Sequence, residues 1–280
     1  MKWKGVIGLP DPYATIRETD PAVQEQLIDI LALRAADPQQ RAMVETYLSD
    51  VEFPQGARVL EVGCGTGTVT RVLARWPGVT EAVGIDLSPV FLAKARALGT
   101  GVTNLSFIEG DGRSLPFEDG SFDVIVFNIT LSHMIGPERA LAEAFRVLRF
   151  GGWLVVFDGD YATTTLATSD SDPLQACADA WSAAFIHDPW LIRRLPALVR
   201  SAGFNVVRFR SYGYVEISNP HYMLSIADRG ADALVAAGRI GPEAGAALRA
   251  EARRRAETGE FYGHIAYASL IARTAAQEEG

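Results

Sequence analysis

The segment Val59-Leu60-Glu61-Val62-Gly63-Cys64-Gly65-Thr66-Gly67-Thr68 carries a short apolar strand into three alternate glycines. Glycines at that point let the backbone turn sharply and let a ligand approach the main chain closely. The spacing narrows the ligand. A dinucleotide fingerprint needs glycine at the sixth position of G-x-G-x-x-G, where this chain has Thr68; its third glycine, Gly67, falls at the fifth. No Lys-Ser/Thr pair follows, so nothing here suits a triphosphate cradle. An adenosyl amino acid, which has no phosphates, fits such a loop better than a pyrophosphate does.

Working outward, the chain alternates strands and helices. A helix is expected over 68–75, ended by Pro77-Gly78, and a second strand over 82–86. That strand closes on Val83-Gly84-Ile85-Asp86-Leu87-Ser88, where the Asp86 carboxylate can accept two hydrogen bonds from ribose hydroxyls. The competing role, capping the helix at 89–98, can be taken by Ser88. A strand at 105–109 leads to Glu109-Gly110-Asp111-Gly112; Asp111 is suited to an adenine amino group or, equally, to an acidic turn. Strands at 122–128 and 153–158 flank an amphipathic helix over 137–148, closed by Gly151-Gly152. Apolar strands separated by helices imply a parallel sheet covered on both faces. Towards the N-terminus, Asp20-Pro21 opens one helix running to Leu48, and Pro54-Gln55-Gly56 breaks the chain. Beyond Asp158 the rhythm lapses into an insertion with a helix at 174–185. A helix at 190–202, a strand at 204–212, a mainly helical Ala- and Arg-rich tract at 219–258 and a last strand at 264–273 follow. No internal repeat is found.

Composition limits the function classes. Of 280 residues, 48% are hydrophobic, enough for a sizeable core, and the formal net charge of −8 argues against a nucleic-acid partner. Apolar runs such as 153–157 are too short to span a membrane, and residues 1–5 carry charge with no apolar stretch of a secretion signal after them. Cys64 and Cys177 form no C-x-x-C pair, which fits a reducing cytoplasm. His133, His187, His221 and His264 are scattered, so no metal site is expected.

The 61–68 loop, Asp86, Asp111, Phe122-Asp123 before an apolar strand, and Arg146-Val147-Leu148-Arg149-Phe150-Gly151-Gly152 stand in the order and spacing of the class I S-adenosylmethionine-dependent methyltransferases. The chain resembles most the ubiquinone-biosynthesis-type small-molecule branch, over roughly 56–158. It departs where Phe150 replaces the proline usual before Gly-Gly. The resemblance implies a Rossmann-like αβα sandwich with about seven strands, the last antiparallel. A helical lid is expected over 1–52 and a core over 53–280, with cap insertions at about 160–200 and 218–260. It implies S-adenosyl-L-methionine as cofactor, leaving S-adenosyl-L-homocysteine. Gly63, Gly65 and Gly67 would pack against the cofactor, with Glu61, Cys64, Thr68 and Ser88 of the same motifs beside them. Asp86 would hold the ribose, Leu87 would lie by the adenine, Asp111 and Gly112 at the adenine edge, and Asn128 and Ile129 by the methionine part. Tyr13 and Arg17 are candidates to close over the cofactor carboxylate, with Arg34 and Arg41 as competitors.

A sulfonium methyl is already activated, so the protein must align a nucleophile and exclude water. A base is needed only for an acceptor protonated at neutral pH. His133, just past the 122–128 strand and near the expected methyl, is one candidate; packing in a loop is its plainer role. Asp158 and Asp160 are further candidates, against turn capping. Trp181, Phe185, His187 and Trp190 concentrate aromatics that would wall a small, aromatic or apolar substrate, or else form the core of a cap. Rival readings are a nicotinamide-dependent oxidoreductase, a non-catalytic cofactor-binding scaffold and an RNA methyltransferase. Monomer and homodimer are equally open.

Overall fold

The computed structural model describes residues 11–275. Residues 1–5, examined for a secretion signal, and the first ten residues of the expected lid lie outside the described residues. Two helices open the described chain, α1 (Pro21–Ala36) and α2 (Pro38–Ser49). Then follow β1 (Ala57–Val62), α3 (Thr68–Leu73), β2 (Val79–Asp86), α4 (Pro89–Leu98), β3 (Leu105–Glu109) and β4 (Phe122–Asn128). A single 3-10 turn, Leu131–His133, leads to α5 (Pro137–Val147) and β5 (Leu148–Thr165). The remainder is α6 (Leu174–Phe185), α7 (Leu191–Ser201), β6 (Asn205–Glu216), α8 (Tyr222–Ala236), α9 (Pro242–Thr258) and β7 (Gly263–Arg273).

The seven strands form one sheet in the order β3-β2-β1-β4-β5-β7-β6. β1 to β5 run parallel, and β7 is antiparallel to both β5 and β6, as the resemblance implies. The central strands are apolar at nearly every position because both faces are covered. Side chains alternate between faces with period two. Val59, Val124, Val126, Val155 and Phe157 face one core, with Tyr47 of α2, Leu73 of α3, and α6 and α8. Leu60, Ile125, Phe127, Leu154 and Val156 face the other, with Leu141 of α5 and Leu195 of α7.

Three features depart from the expected pattern. The single N-terminal helix is two, divided at Asp37, whose backbone N–H ends α1 and whose carboxylate caps α2 at Gln40 N, 2.9 Å. Asp37-Pro38 repeats the Asp20-Pro21 signal, so this break was legible in the sequence. β5 and β6 run longer than expected, to Thr165 and Glu216, still paired with β7, and carry α6 and α8 at their ends. α6 and α8 cross closely: a Cβ at Gly230 would lie 1.9 Å from the Cys177 carbonyl oxygen, so only glycine fits. No helix among the described residues is long and apolar enough to cross a membrane.

Candidate active site

At the carboxyl ends of the parallel strands lies a cavity of about 250 Å³. An open α/β sheet binds ligands here because the strand order reverses between β1 and β4. The glycine loop forms one wall. Gly63 has φ +70°, and a Cβ there would lie 2.2 Å from Thr130 Cγ2. Gly63→Ala is therefore expected to cost roughly 1–3 kcal/mol from overpacking and a left-handed backbone. Thr130→Ser, which deletes that methyl, should recover part of the loss in a double-mutant cycle of urea melts.

Asp86, half-buried at the end of β2, is pinned by two backbone donors. Gly65 N donates to Oδ2 at 2.8 Å, and Ser88 N to Oδ1 at 2.9 Å. Each oxygen keeps a second lone pair for a ligand hydroxyl. Asp111 also borders the cavity, clasped by Arg113, whose hydrogen bond holds its carboxyl below the usual range. Asn128 ends β4 with its side-chain oxygen accepting from Tyr47 Oη at 3.0 Å. Ile129 follows at φ +52°. A β-branched residue in the left-handed region is a strained outlier, and such strain gathers at functional sites.

Glu61 is 2% exposed and bonded to the Thr70 hydroxyl. Burial pushes its carboxyl up to about 8 from 4.5. A pKa raised on folding favours the protonated form, so the ligand-free protein should lose stability as pH rises from about 4.5 towards 8. Glu61→Gln removes that titration. Its melting temperature relative to wild type should rise across the same interval, as read by calorimetry at fixed ionic strength.

The residues expected at the cofactor site divide cleanly. Tyr13, Glu61, Gly63, Cys64, Gly65, Thr68, Asp86, Leu87, Asp111, Gly112, Asn128, Ile129 and His133 line the cavity. Gly67, Ser88 and Arg17 do not. Gly67 is the N-cap residue of α3. Ser88 is fully buried, caps α4 at Phe91 N and donates to Gln24 Oε1 at 2.6 Å. Arg17 is exposed, and its competitors Arg34 and Arg41 reach the wall instead.

His133 is half of a dyad that the sequence did not disclose. Its Nδ1 lies 2.6 Å from Asp11 Oδ2, and the Asp11 carboxylate also accepts from the backbone N–H groups of Tyr13 and His187. Burial opposes charge on His133, but Asp11, with Asp158 behind it, outweighs that and raises its pKa. The Tyr13 ring packs on the imidazole at 4.8 Å between centroids. Nothing local in the sequence marks Asp11, which meets His133 across 122 residues.

The other acid–base and substrate candidates lie off the cavity wall. Asp158 is fully buried and accepts from Ser132 N, Ser132 Oγ and Gly159 N at 3.0, 2.7 and 2.8 Å. Its oxygens brace the turn carrying His133 and do not border the cavity. Asp160 pairs with Arg193 at 2.8 Å, away from the cavity. Trp181 and Phe185 are buried under α8, while His187 and Trp190 are exposed; none of the four lines the cavity. Among the described residues no group of three or more His, Cys, Asp or Glu is placed to hold a metal ion.

A sheet of this order, with a glycine loop facing a carboxylate across an adenosine-sized hollow, defines a nucleoside-binding α/β domain. Residues 60–156 match the methyltransferase domain family, and that stretch is a methyltransferase domain of the class I S-adenosylmethionine-dependent kind. An uncharacterized 37.1 kDa protein from a Streptomyces fradiae transposon is 30% identical over 191 residues, 68% of this chain and 55% of that one. The 2-phytyl-1,4-naphtoquinone methyltransferase of Thermosynechococcus vestitus is 34% identical over 116 residues, 41% of this chain and 52% of that one. The chain thus spans about half the length of these curated relatives. Among solved structures, a 4+2 cyclase superposes with a TM-score of 0.59 at 23% identity, covering 96% of this chain and 100% of that one. At that identity the likeness speaks to fold alone.

Proposed function

We propose that the chain transfers the methyl group of S-adenosyl-L-methionine to an O, N or C atom of a small aromatic or apolar metabolite. The observation that carries this is the placement of Asp86 opposite the glycine loop, with Asp111 at the far wall of the same cavity. The cofactor's residues fit: Asp86 has lone pairs to spare for ribose hydroxyls, and Asp111 supplies negative charge for a cationic ligand. Arg41 stands on the wall, available to the ligand's carboxylate. When bound, the cofactor supplies an electrophilic methyl; the chain's own part is to orient the acceptor and take its proton. His133 is the proton acceptor in this reading, and Asp11 positions it. The relative named for a naphthoquinone supports an aromatic, quinone-like acceptor class.

Residues 1–52 act as a lid in this reading, and the segments 160–200 and 218–260 as a cap, which together would shield the site from water. The acidic balance favours a small molecule over nucleic acid, and among the described residues many arginines are paired with carboxylates. A nicotinamide cofactor is disfavoured because Thr68, where that fingerprint has glycine, is the first residue of α3. Calorimetry on ligand-stripped protein tests the reading. Heat with S-adenosylhomocysteine and none with NADH is expected; the reverse, or no heat with either, sinks it.

A further inference from the structure

Arg229 of α8 is 5% exposed. Its Nε donates to the Ser225 carbonyl at 3.1 Å, and Nη2 lies 3.4 Å from Ser225 Oγ. Its guanidinium otherwise sits over the rings of Trp181 and Phe185, 5.5 and 5.2 Å from their centroids. Arg34 reaches towards the same place from α1, and its Nε is buried without a hydrogen-bond partner. The charged and titratable groups around the two arginines include Tyr13, Tyr161, Tyr222 and Tyr267, with His133 and Tyr47 also facing Arg34, and Arg34 itself facing Arg229. No carboxylate among the described residues is in ion-pair contact with either.

Tyrosines do not neutralise them. Burial pushes the Tyr13 hydroxyl up to about 12 and those of Tyr161 and Tyr267 well above their ordinary value, so these hydroxyls stay protonated. Arginine does not shed its proton either. A buried arginine beside a half-buried one, with no carboxylate in ion-pair contact among the described residues, is costly and persists where an anion completes the pair. The surroundings of Arg229 and Arg34 are rich in donors: two planar guanidinium forks, tyrosyl O–H groups and the Trp181 Nε1–H, itself buried and unpartnered. That set matches a carboxylate.

Its position separates it from the cofactor's ribose and adenine residues. A run of rings leads from His133 to Tyr161, 6.4 Å between centroids, and from Tyr161 to Trp181, 5.8 Å. Asp86 and Asp111 lie on the opposite side of the glycine loop, at the ends of β2 and β3. We propose that Arg229, together with Arg34, binds a carboxylate on the methyl acceptor, so that the acceptor is an aromatic acid held by its anionic end while its nucleophile faces His133. This rests on the methyltransferase reading and refines it.

Full-length wild type, Arg229→Met and Arg34→Met are compared by calorimetry and thermal melting. S-adenosylhomocysteine should bind wild type and Arg229→Met within about twofold of each other. A tenfold or greater loss in Arg229→Met would assign the arginine to the cofactor's own carboxylate and overturn the proposal. No binding by wild type would instead remove the methyltransferase reading. With the site saturated by S-adenosylhomocysteine, benzoate should raise the wild-type melting temperature by about 2 °C or more, and benzamide should not. Each arginine variant should lose the benzoate effect. An equal response to benzamide, or none to benzoate, overturns the proposal. Without ligand, Arg229→Met should melt higher than wild type, because an unpaired buried charge is gone. Lower melting would make the guanidinium a structural partner of the two rings and refute the orphan-charge argument; Arg34→Met repeats the ligand test in a second background.

Discussion

Asp86→Ala is expected to weaken S-adenosylhomocysteine binding by about 100-fold or more. A carboxylate accepting from two ribose hydroxyls makes two charge-assisted hydrogen bonds, each worth roughly 1.5–3 kcal/mol, and tenfold in affinity corresponds to about 1.4 kcal/mol. The substitution has a second effect that must be separated from the first. Asp86 also accepts from Gly65 N and Ser88 N, so its loss frees the glycine loop and the start of α4. Asp86→Asn keeps one oxygen for those donors and should fall between Ala and wild type in affinity, with a melting temperature closer to wild type. If Asp86→Ala binds S-adenosylhomocysteine within about threefold of wild type, Asp86 does not hold the ribose.

His133→Ala is expected to leave cofactor affinity nearly unchanged and to slow turnover by at least about tenfold, towards the lower end of what a positioned base supplies. The sign of the pH dependence follows from the raised pKa. A base works only when neutral, so the rate should climb with pH through a midpoint above 6.5, the ordinary histidine value. Asp11→Asn removes the anion that favours the imidazolium, so the midpoint should move to lower pH. A purely structural Asp11 would change the rate without moving the limb. Near-normal turnover in His133→Ala removes it from proton transfer, and an unmoved limb in Asp11→Asn removes Asp11 from positioning it.

Much of this site was legible locally. The loop from Glu61 to Thr68, Asp86, Asp111 and Asn128 each follow directly on a strand, and the ends of neighbouring parallel strands lie together once the sheet forms. The residues that fell away did so for local reasons as well. Ser88 serves the start of α4, and Gly67 serves α3; both roles are set within a few residues of each position. Asp158 looked exposed to chemistry because it ends an apolar strand, yet its neighbours Ser132 and Gly159 take up its oxygens. Of the aromatics of 181–190, Trp181 and Phe185 share one face of α6 and are buried, whereas Trp190 lies beyond that helix and is 52% exposed. Sequence spacing within a helix carries that phase, but not which neighbour will cover it.

By itself, the sequence determined the layered α/β architecture, the glycine loop and the carboxylate facing it, because these depend on period, glycine spacing and short-range turn chemistry. Only the tertiary structure decided that Asp11 meets His133, that Arg34 approaches Arg229 with no carboxylate among the described residues in ion-pair contact with either, and that Asp160 belongs to Arg193. Such pairings join segments far apart in the chain, Asp11 and His133 by 122 residues and Arg34 and Arg229 by more, and they depend on how the helices settle on the finished sheet. Packing geometry fixes them, and no short-range preference of the chain encodes it.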